Sequence, residues 1–580
     1  DIVPSELSEE EKKKGLSEQH LDFRNRIVNT SLKNTLDSKP ASLYSTAAAS
    51  LIKTGNFTDD LAKIKECDWI IEVVIENLAI KQQLYEKIEL FRTQDTLITT
   101  NTSGIPIGLL TKGRSENFKQ YFCGSHFFNP PRYLQLLEII PGKETKKEVI
   151  DFLKNYGSLY LGKTTIECFD TPAFIANRVG VYSIASLFHQ VNESNFTVSD
   201  IDLFTGTIIG RPKSATFRTC DVVGLDTLVH VSNNLFAALP EGKEKNTFKL
   251  PDFIQQMVSN KWLGDKTNQG FFKKTKDENG KKIFLSLDLK SLDYKLHPKK
   301  KFDTIEQAKG IDDLRMRIAN LINAKDEIGE FYRKSFFSLF EFVSSKVGEI
   351  ASDLLHIDEA LEAGFGWEIG PFKTWDALGL KESIATMKAM GFSPAKWIDE
   401  MLVAGVSSFY KFENGSTYFY DPLTKSYNLA PNQNTNIALY PLRKEKTIWK
   451  NNGCNIIDIG EDVICCEFTT KMNTMGGEVI AGVNKAIELA EKNFKGLVIG
   501  NEGANFSAGA NLAMIFMMAI EQEYDEIDMA IRMFQNMNMR VRYSSVPVVV
   551  APFGLTLGGG CEMTLHADKV RSEEHTSELQ

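Results

Sequence analysis

The sequence predicts a mixed α/β protein built from several domains. Its 580 residues are too many for one hydrophobic core, since a domain usually holds roughly 100 to 200 residues. Residues 1–165 alternate helical patterns with short apolar runs, which is typical of a doubly wound parallel sheet; the runs lie at 69–75, 96–100 and 134–140. A second α/β pattern starts near residue 446, with a helix-like stretch at 477–492 and strand-like stretches at 496–500 and 546–551.

The stretch between these two patterns is mostly helical. Helical periodicity begins at Asp170-Thr171-Pro172, where aspartate or threonine can cap a helix and proline suits its first turn. A lysine-rich, polar composition predicts a linker after the first helical domain. The predicted order is a partial doubly wound domain, a helical domain, a linker, a second helical domain, a partial α/β domain and a tail, at residues 1–165, 166–275, 276–309, 310–445, 446–570 and 571–580.

The two helical domains share a sequence pattern. Residues 357–372 echo residues 201–217, which predicts an internal duplication. The second copy carries no matching set of catalytic side chains, so we expect it to serve as scaffold and interface.

Composition limits the classes of partner and compartment. The net charge is −9 and no contiguous basic face is visible, which argues against nucleic acid as a partner. The eight cysteines show neither metal-ligand spacing nor the framework of a small secreted domain. The longest apolar runs fall far short of the ~20 residues that a membrane helix needs. We therefore expect no metal site, no membrane span, and a cytoplasmic protein with reduced thiols.

A histidine and a glutamate carry the sharpest chemical signal. His126 lies in the stretch SHFFNPP, and Glu138 follows twelve residues later in LLEII. Oxidation of a secondary alcohol by hydride transfer needs a base for the hydroxyl proton, and imidazole suits this role because its ordinary pKa lies near neutrality. A buried carboxylate would orient the ring and stabilise the imidazolium. By spacing alone, a hydrogen-bonded core histidine is the alternative interpretation.

The full wording of this stretch resembles the 3-hydroxyacyl-CoA dehydrogenase family. Three further stretches match the family in the same order: ENLAIK at 76–81, NTS at 101–103 and DTPAFIANR at 170–178. Taken singly, these stretches also suit a strand-end carboxylate, a turn and a helix cap. Residues 210–227 and 268–272 resemble the helical C-terminal domain of the same family. The resemblance implies a Rossmann-type NAD-binding domain, with His126 as the base and Glu138 as its partner.

The same resemblance implies roles for five more residues. Ser103 and Asn177 would hydrogen-bond the region of the reacting oxygen. Glu76 and Lys81 would lie at the nicotinamide and ribose side of the NAD cofactor, with Asn101 also at the cofactor.

The family's phosphate-binding loop, G-x-G-x-x-G, is absent from this sequence. In Rossmann-type domains an acidic residue that binds the ribose hydroxyls ends the second strand about 20 residues after that loop, and Asp1 matches this residue. We therefore expect a first strand, the loop and a first helix to precede the chain, which alone should bind NAD poorly. Residues 571–580 are a direct translation of a widely used sequencing-adapter sequence, so we expect them to be foreign to the fold. The chain is thus expected to be truncated at both ends.

Two glycine-rich stretches near the end of the chain suggest a second activity. Residues 505–511 (NFSAGAN) and 557–562 (LGGGCE) each follow an apolar strand and together resemble the crotonase superfamily, which includes the enoyl-CoA hydratases. The resemblance implies that backbone N–H groups of Ala508 and Gly559 stabilise a thioester oxygen, and that Glu562 is the first of two catalytic glutamates. The alternative is that both stretches are tight turns only.

Together these patterns predict NAD-dependent oxidation of an (S)-3-hydroxyacyl-CoA to a 3-oxoacyl-CoA in fatty-acid β-oxidation. An enoyl-CoA hydratase activity of the intact protein stays open, because the second glutamate is expected beyond the chain. The alternatives are a dehydrogenase of another small 3-hydroxy acid and a non-catalytic acyl-CoA-binding or scaffold protein. The implied ligand is an acyl-CoA thioester; a homo-oligomer and a thiolase partner also stay open.

Overall fold

The computed structural model of the protein describes residues 1–572 apart from 44, 278–279, 297–299, 414–415, 432–436, 504 and 511. Residues 573–580 of the predicted tail and Asn511 of the NFSAGAN stretch therefore lie outside the described residues. The chain divides into two compact units, Asp1–Phe409 with Asp421–Ser426, and Tyr410–Tyr420 with Tyr427–Gln580. None of the described helices is long and apolar enough to cross a membrane.

The first unit contains a five-stranded sheet whose strands, in spatial order, are Trp69–Glu72 (β1), Leu97–Thr100 (β2), Phe122–Phe127 (β3), Leu136–Pro141 (β4) and Thr164–Glu167 (β5). Neighbouring strands are parallel except β3 and β4, which are antiparallel. Strand β2 is buried throughout, as expected for a sheet that is covered on both faces. This architecture confirms the predicted α/β class.

Helices precede and connect these strands. The Asn77 side chain accepts the Ile80 N–H and so caps the helix that follows β1. The helices are Glu9–Lys13 (α1), Leu21–Arg24 (α2), Arg26–Leu36 (α3), Leu78–Phe91 (α4), Ile107–Leu110 (α5), Glu116–Gln120 (α6) and Lys147–Leu159 (α7), with 3₁₀ turns at Thr46–Leu51 and Leu61–Glu66.

The first helical domain comprises Ala176–Asn192 (α8), Val198–Thr205 (α9), Phe217–Val223 (α10), Leu225–Ala238 (α11), Lys243–Thr247 (α12) and Asp252–Ser259 (α13), with 3₁₀ turns at Thr207–Ile209 and Asp265–Thr267. Helix α8 begins later than predicted. Asp170 caps α5 instead, because its carboxylate accepts the N–H groups of Ile107 and Gly108. Ala173 and Phe174 have left-handed backbone conformations, and these break the chain between Asp170 and the helix.

The predicted linker holds ordered structure. A three-stranded antiparallel sheet is formed by Phe272–Lys276 (β6), Lys282–Leu287 (β7) and Tyr294–Lys295 (β8). Its lysines occupy partly or fully exposed positions, whereas Ser286 and Leu287 are buried. The lysine-rich composition therefore reflects the exposed face of a sheet rather than a linker.

The second helical domain follows, with Asp303–Ala308 (α14), Leu314–Asn323 (α15), Glu327–Lys346 (α16), Leu354–Phe365 (α17), Pro371–Leu378 (α18), Leu380–Ala389 (α19) and Lys396–Val403 (α20). Its long helix α16 buries one aromatic face that includes Phe331, Tyr332 and Phe340. The chain then continues into another three-stranded sheet, Tyr410–Glu413 (β9), Ser416–Asp421 (β10) and Ser426–Leu429 (β11).

The second unit is built on a six-stranded sheet, Thr447–Lys450 (β12), Cys454–Gly460 (β13), Val463–Phe468 (β14), Gly496–Gly500 (β15), Val548–Ala551 (β16) and Lys569–Val570 (β17). The sheet is antiparallel from β12 to β14 and parallel from β14 to β17. Its helices are Leu439–Glu445 (α21), Gly477–Asn493 (α22), Leu512–Ile520 (α23), Tyr524–Arg542 (α24) and Gly559–His566 (α25), with a 3₁₀ turn at Lys471–Asn473. The core lies between the sheet and helices α22 and α24.

Candidate active site

The antiparallel pairing of β3 and β4 brings the predicted histidine and glutamate together. His126 and Glu138 are direct partners in the register, so their side chains project from the same face of the sheet. His126 Nδ1 lies 2.7 Å from Glu138 Oε2. The glutamate is fully buried and the histidine nearly so. A spacing of twelve residues therefore corresponds to two facing positions on neighbouring strands.

The second oxygen of Glu138 is held by the start of helix α8. Oε1 accepts the N–H groups of Ile175 at 3.1 Å and Ala176 at 2.8 Å. Left-handed conformations at Ala173 (φ 61°) and Phe174 (φ 53°) turn the backbone so that both N–H groups point at the carboxylate. These two donors at the start of the helix fix the orientation of the carboxylate.

The imidazole of His126 is packed between aromatic rings. Phe128 and Phe174 lie 4.6 Å and 5.7 Å from it, measured between ring centroids. Because the Glu138 carboxylate can only accept, Nδ1 carries the proton and Nε2 keeps its lone pair. No described residue hydrogen-bonds Nε2, so this nitrogen can accept a proton from a bound molecule.

The polar residues predicted near the reacting oxygen follow β2, the neighbour of β3, and begin helix α8, whose first N–H groups bind Glu138. Ser103 follows β2, and Asn177 follows Ala176 in the first turn of α8. Both residues are partly buried, and neither side chain has a hydrogen-bond partner among the described residues. Asn101 ties β2 to β3, because its Oδ1 accepts the Phe127 N–H at 2.9 Å.

Glu76 holds the loop that contains Ser103. Its Oε1 accepts the Thr102 hydroxyl at 2.6 Å and the Ser103 N–H at 3.1 Å. One quarter of the Glu76 side chain is exposed at the carboxyl end of the parallel strands, which is where nucleotide cofactors bind in open α/β sheets.

Lys81 is buried among carboxylates at the end of β1, and its predicted role at the cofactor stays a prediction. Its side chain is only 1% exposed, and Nζ donates to Glu72 Oε1 at 2.8 Å and lies 3.4 Å from Glu76. The same Glu72 accepts the hydroxyls of Tyr85 and Thr100. Lys81 therefore stabilises the strand end from inside. Glu72 has no predicted role, although a carboxylate that ends an apolar run shortly before a lysine is a usable sequence signal.

Two further buried residues, Cys168 beside Glu138 and Arg178 in α8, had no predicted role. Burial raises the pKa of the Cys168 thiol well above its usual value, and the charge of Glu138 adds to this effect, so the thiol stays neutral beside the carboxylate. Arg178 is buried, although the sequence motif that contains it suggested no role for it.

Asp1 is exposed and does not lie on a strand. Its backbone carbonyl accepts the Phe57 N–H, and its carboxylate accepts the N–H of Ile2. The predicted contact with the cofactor ribose stays a prediction.

In the second unit, the two glycine-rich stretches meet. Ser507 pairs with Thr556, and the Leu557 N–H donates to the Ser507 carbonyl at 2.9 Å. A Cβ on Gly560 would lie 2.7 Å from Ser507 Cβ, and a Cβ on Gly509 would lie 2.8 Å from the Leu557 carbonyl oxygen. The close approach of the two stretches therefore requires glycine at both positions.

The predicted oxyanion donors differ in availability. The Ala508 N–H donates to the Met472 carbonyl at 3.1 Å, so a ligand oxygen would have to displace that bond. The Gly559 N–H, at the start of α25, has no partner among the described residues. Glu562 lies in the first turn of the same helix and is exposed.

Family profiles match three regions of the chain. The 3-hydroxyacyl-CoA dehydrogenase NAD binding domain covers residues 13–171, and the C-terminal domain of that family covers 174–274. The enoyl-CoA hydratase/isomerase family covers 459–577. The predicted family resemblance is confirmed.

Individual proteins agree with these profiles. The chain is 43% identical over 573 residues to a probable 3-hydroxyacyl-CoA dehydrogenase of Bacillus subtilis, which covers 99% of this chain and 72% of that protein. It is 29% identical to a protein of Rickettsia prowazekii named for a trifunctional enzyme of the fatty acid oxidation complex, over 94% of this chain and 71% of that protein. A probable 3-hydroxyacyl-CoA dehydrogenase of Deinococcus radiodurans is 40% identical over 45% of this chain and 75% of its own length. This chain belongs to the 3-hydroxyacyl-CoA dehydrogenase family.

Proposed function

We propose that the chain oxidises the hydroxyl group of an (S)-3-hydroxyacyl-CoA to a ketone in fatty-acid β-oxidation. The observation that carries the proposal is the buried His126–Glu138 pair, whose carboxylate is fixed by the start of α8. His126 Nε2 takes the hydroxyl proton, and the Glu138 carboxylate at Nδ1 stabilises the imidazolium that results. The Ser103 hydroxyl and the Asn177 amide hydrogen-bond the substrate oxygen. They thereby orient the C–H bond of the carbon that carries this oxygen.

NAD is the cofactor of this family and, when bound, accepts the hydride. Glu76 and Asn101 fit its nicotinamide end, because both lie where the parallel strands β1 and β2 end. The sequence contains no G-x-G-x-x-G loop for the pyrophosphate, so the residues present fit only part of the cofactor.

The test is NADH formation, followed by absorbance, in the protein expressed from its own gene with a 3-hydroxyacyl-CoA. His126→Ala should lower kcat by about 10²–10⁴-fold, because the proton then has no base. His230→Ala is the matched control, since His230 is an exposed histidine of the same unit and should keep full activity. A His126→Ala variant with the kcat of the wild type would overturn the assignment of His126 as the base.

A substrate panel separates the alternatives. Equal rates with CoA-free 3-hydroxy acids would favour a dehydrogenase of another small acid. Binding of acyl-CoA without NADH formation would favour a non-catalytic binding protein.

Enoyl-CoA hydration is a second proposed activity, favoured by the meeting of the two glycine-rich stretches. Gly559 N–H would donate to the thioester oxygen, and Ala508 N–H would join it once released from Met472. Glu562 would then activate water. The proposal predicts that Glu562→Gln lowers hydration of an enoyl-CoA and leaves NADH formation unchanged.

Location and partners follow from the same chemistry. The eight cysteines are free thiols, which supports the cytoplasm as the compartment. A 3-oxoacyl-CoA product is the substrate of thiolytic cleavage, which supports a thiolase as partner. Exposed apolar side chains on α23 and α24 support a homo-oligomer.

A further inference from the structure

The backbone before helix α8 adopts a costly conformation. Ala173 and Phe174 are consecutive non-glycine residues with positive φ. Such a residue is strained and persists only when its surroundings determine its conformation. This turn is also what aims the Ile175 and Ala176 N–H groups at Glu138. The residues that hold the turn therefore control the geometry of the His126–Glu138 pair.

Arg178 holds the turn from one side. Its Nη1 donates to the Pro172 carbonyl at 3.2 Å, directly before the two left-handed residues. Its Nε donates to Glu244 Oε1 at 2.5 Å, and its Nη2 donates to Glu349 Oε1 at 3.0 Å. Lys346 lies 2.7 Å from Glu244 and 2.6 Å from Glu349. The guanidinium is thus fixed in a group of two cations and two anions.

Half of that group belongs to the second helical domain. Lys346 ends helix α16, and Glu349 follows it in the chain. The next residue, Ile350, accepts the Phe169 N–H through its carbonyl at 3.2 Å, at the other end of the turn. The second helical domain, for which the sequence predicts no catalytic side chains, therefore contacts the 169–178 turn at both of its ends.

Helix α17 of the second helical domain supports the same region by close packing. A Cβ on Gly364 would lie 3.4 Å from Ala176 Cβ and 2.6 Å from Leu136 Cδ2. Ala176 donates to Glu138, and Leu136 lies on β4 with it. The glycine lets α17 approach both elements that carry the Glu138 contacts.

We infer that the second helical domain positions the dehydrogenase site, and that Glu349 is a positioning residue that acts through Arg178 and the 169–178 turn on Glu138. This inference rests on the proposed dehydrogenase function. Without Glu349, Arg178 loses one of its two carboxylate partners and holds the Pro172 carbonyl less firmly. The turn then relaxes, Glu138 loses N–H donors, and the imidazolium of His126 is less well stabilised.

The experiment compares Glu349→Gln with wild type by steady-state NADH formation across pH. Nearly half of the Glu349 side chain is exposed (46%), so the substitution should leave the protein folded. We expect kcat to fall about 10-fold, the KM for acyl-CoA to stay unchanged, and the acid limb of the pH–rate profile to move. Glu349→Asp should restore part of kcat.

The matched control is Glu330→Gln, which breaks an exposed ion pair with Lys334 on helix α16 and should behave as wild type. If Glu349→Gln unfolds the protein, Arg178→Lys provides the second variant, because lysine keeps the charge but lacks the planar fork whose three nitrogens reach Pro172, Glu244 and Glu349. A fall in kcat with an unmoved pH profile, or wild-type kinetics in Glu349→Gln, would overturn the inference while the dehydrogenase function stands. Absence of NADH formation in wild type would instead overturn the function itself.

Discussion

The two helical domains use the same buried device. In the first, Asp202 on α9 accepts the N–H groups of Thr216, Phe217 and Arg218. In the second, Asp358 on α17 accepts those of Phe372 and Lys373. Each aspartate caps the start of the next α-helix in the chain, α10 for Asp202 and α18 for Asp358. Burial raises the pKa of both carboxyls to about 7.

A second aspartate repeats as well. Asp221 accepts the N–H groups of Phe271 and Phe272, and Asp376 accepts that of Phe409. Phe271 and Phe409 are both buried, and each directly precedes the first strand of a three-stranded sheet, β6 or β9. The similarity of the two helical domains thus extends to the segments that enter these sheets, and the internal duplication stays a prediction.

The domains differ at their long helices. Helix α8 begins at Ala176, whose N–H donates to Glu138, and carries Asn177. Helix α16 presents an aromatic face and supplies no group to the His126–Glu138 pair. The two helical domains therefore share the aspartates that cap their helices and differ in the groups that they place at the His126–Glu138 pair. Glu349 and Ile350 of the second domain contact the 169–178 turn that leads into α8.

The largest expected effect comes from removing the shared device. Asp202→Ala and Asp358→Ala should each lower the free energy of unfolding by about 3 kcal/mol or more, because buried N–H donors lose their acceptor at about 1–3 kcal/mol each. Urea unfolding measures both. Asparagine at either position should cost less, since it keeps an acceptor oxygen and resembles the protonated acid that forms below pH about 7. If only Asp202→Ala destabilises the protein, the two aspartates are not equivalent.

The next effect tests the packing between the two domains. A Cβ on Gly180 of α8 would lie 2.1 Å from Cζ of Phe365 on α17, so Gly180→Ala should destabilise the protein by about 1–3 kcal/mol through overpacking. Gly108→Ala is the control, because this helical glycine has open space around its Cα and alanine should be neutral or stabilising there. Equal thermal midpoints for the two variants would show that Phe365 moves aside at no cost.

The sequence predicted much of this fold because apolar runs determine β1, β2, β4 and β15. It did not predict β3 or β5, whose residues FCGSHF and TTIE lack a continuous apolar run. Strand β3 is buried nonetheless, because it lies between β2 and β4 and the missing side chain at its own Gly124 leaves room for Ile140 and Ile107. Tertiary packing rather than local pattern makes it a strand.

The site was predictable only where side chains follow a known motif. The contact of His126 with Glu138 matches the prediction, but the motif did not reveal that Lys81 is buried against Glu72. The motif also could not reveal the backbone donors to Glu138, because these depend on a left-handed backbone conformation that alanine and phenylalanine rarely adopt. Charge groups assembled from distant segments, such as Arg178 with Glu349, leave no local pattern at all.

The smallest expected effect concerns the pH dependence of stability. It tests the charge group of Arg178, Lys346, Glu244 and Glu349, which joins the two helical domains. Burial alone would raise the pKa of Glu244, but hydrogen bonds and charges from Arg178 and Lys346 outweigh it and lower the pKa below its ordinary value of 4.5. A carboxyl with a lowered folded-state pKa contributes stability above its unfolded pKa, and this is lost as pH falls through the folded value. Glu244→Gln should therefore flatten the loss of stability below pH about 4.5.

At neutral pH the same variant should cost on the order of 1 kcal/mol, because glutamine still accepts the Arg178 hydrogen bond and Glu349 still balances its charge. Thermal unfolding at a series of pH values measures both effects. Glu241→Gln alters only an exposed ion pair with Lys245 and should keep the wild-type profile. If Glu244→Gln retains the full acid-side loss, Glu244 does not report on the charge group, and the two domains are joined at this point by packing rather than by charge.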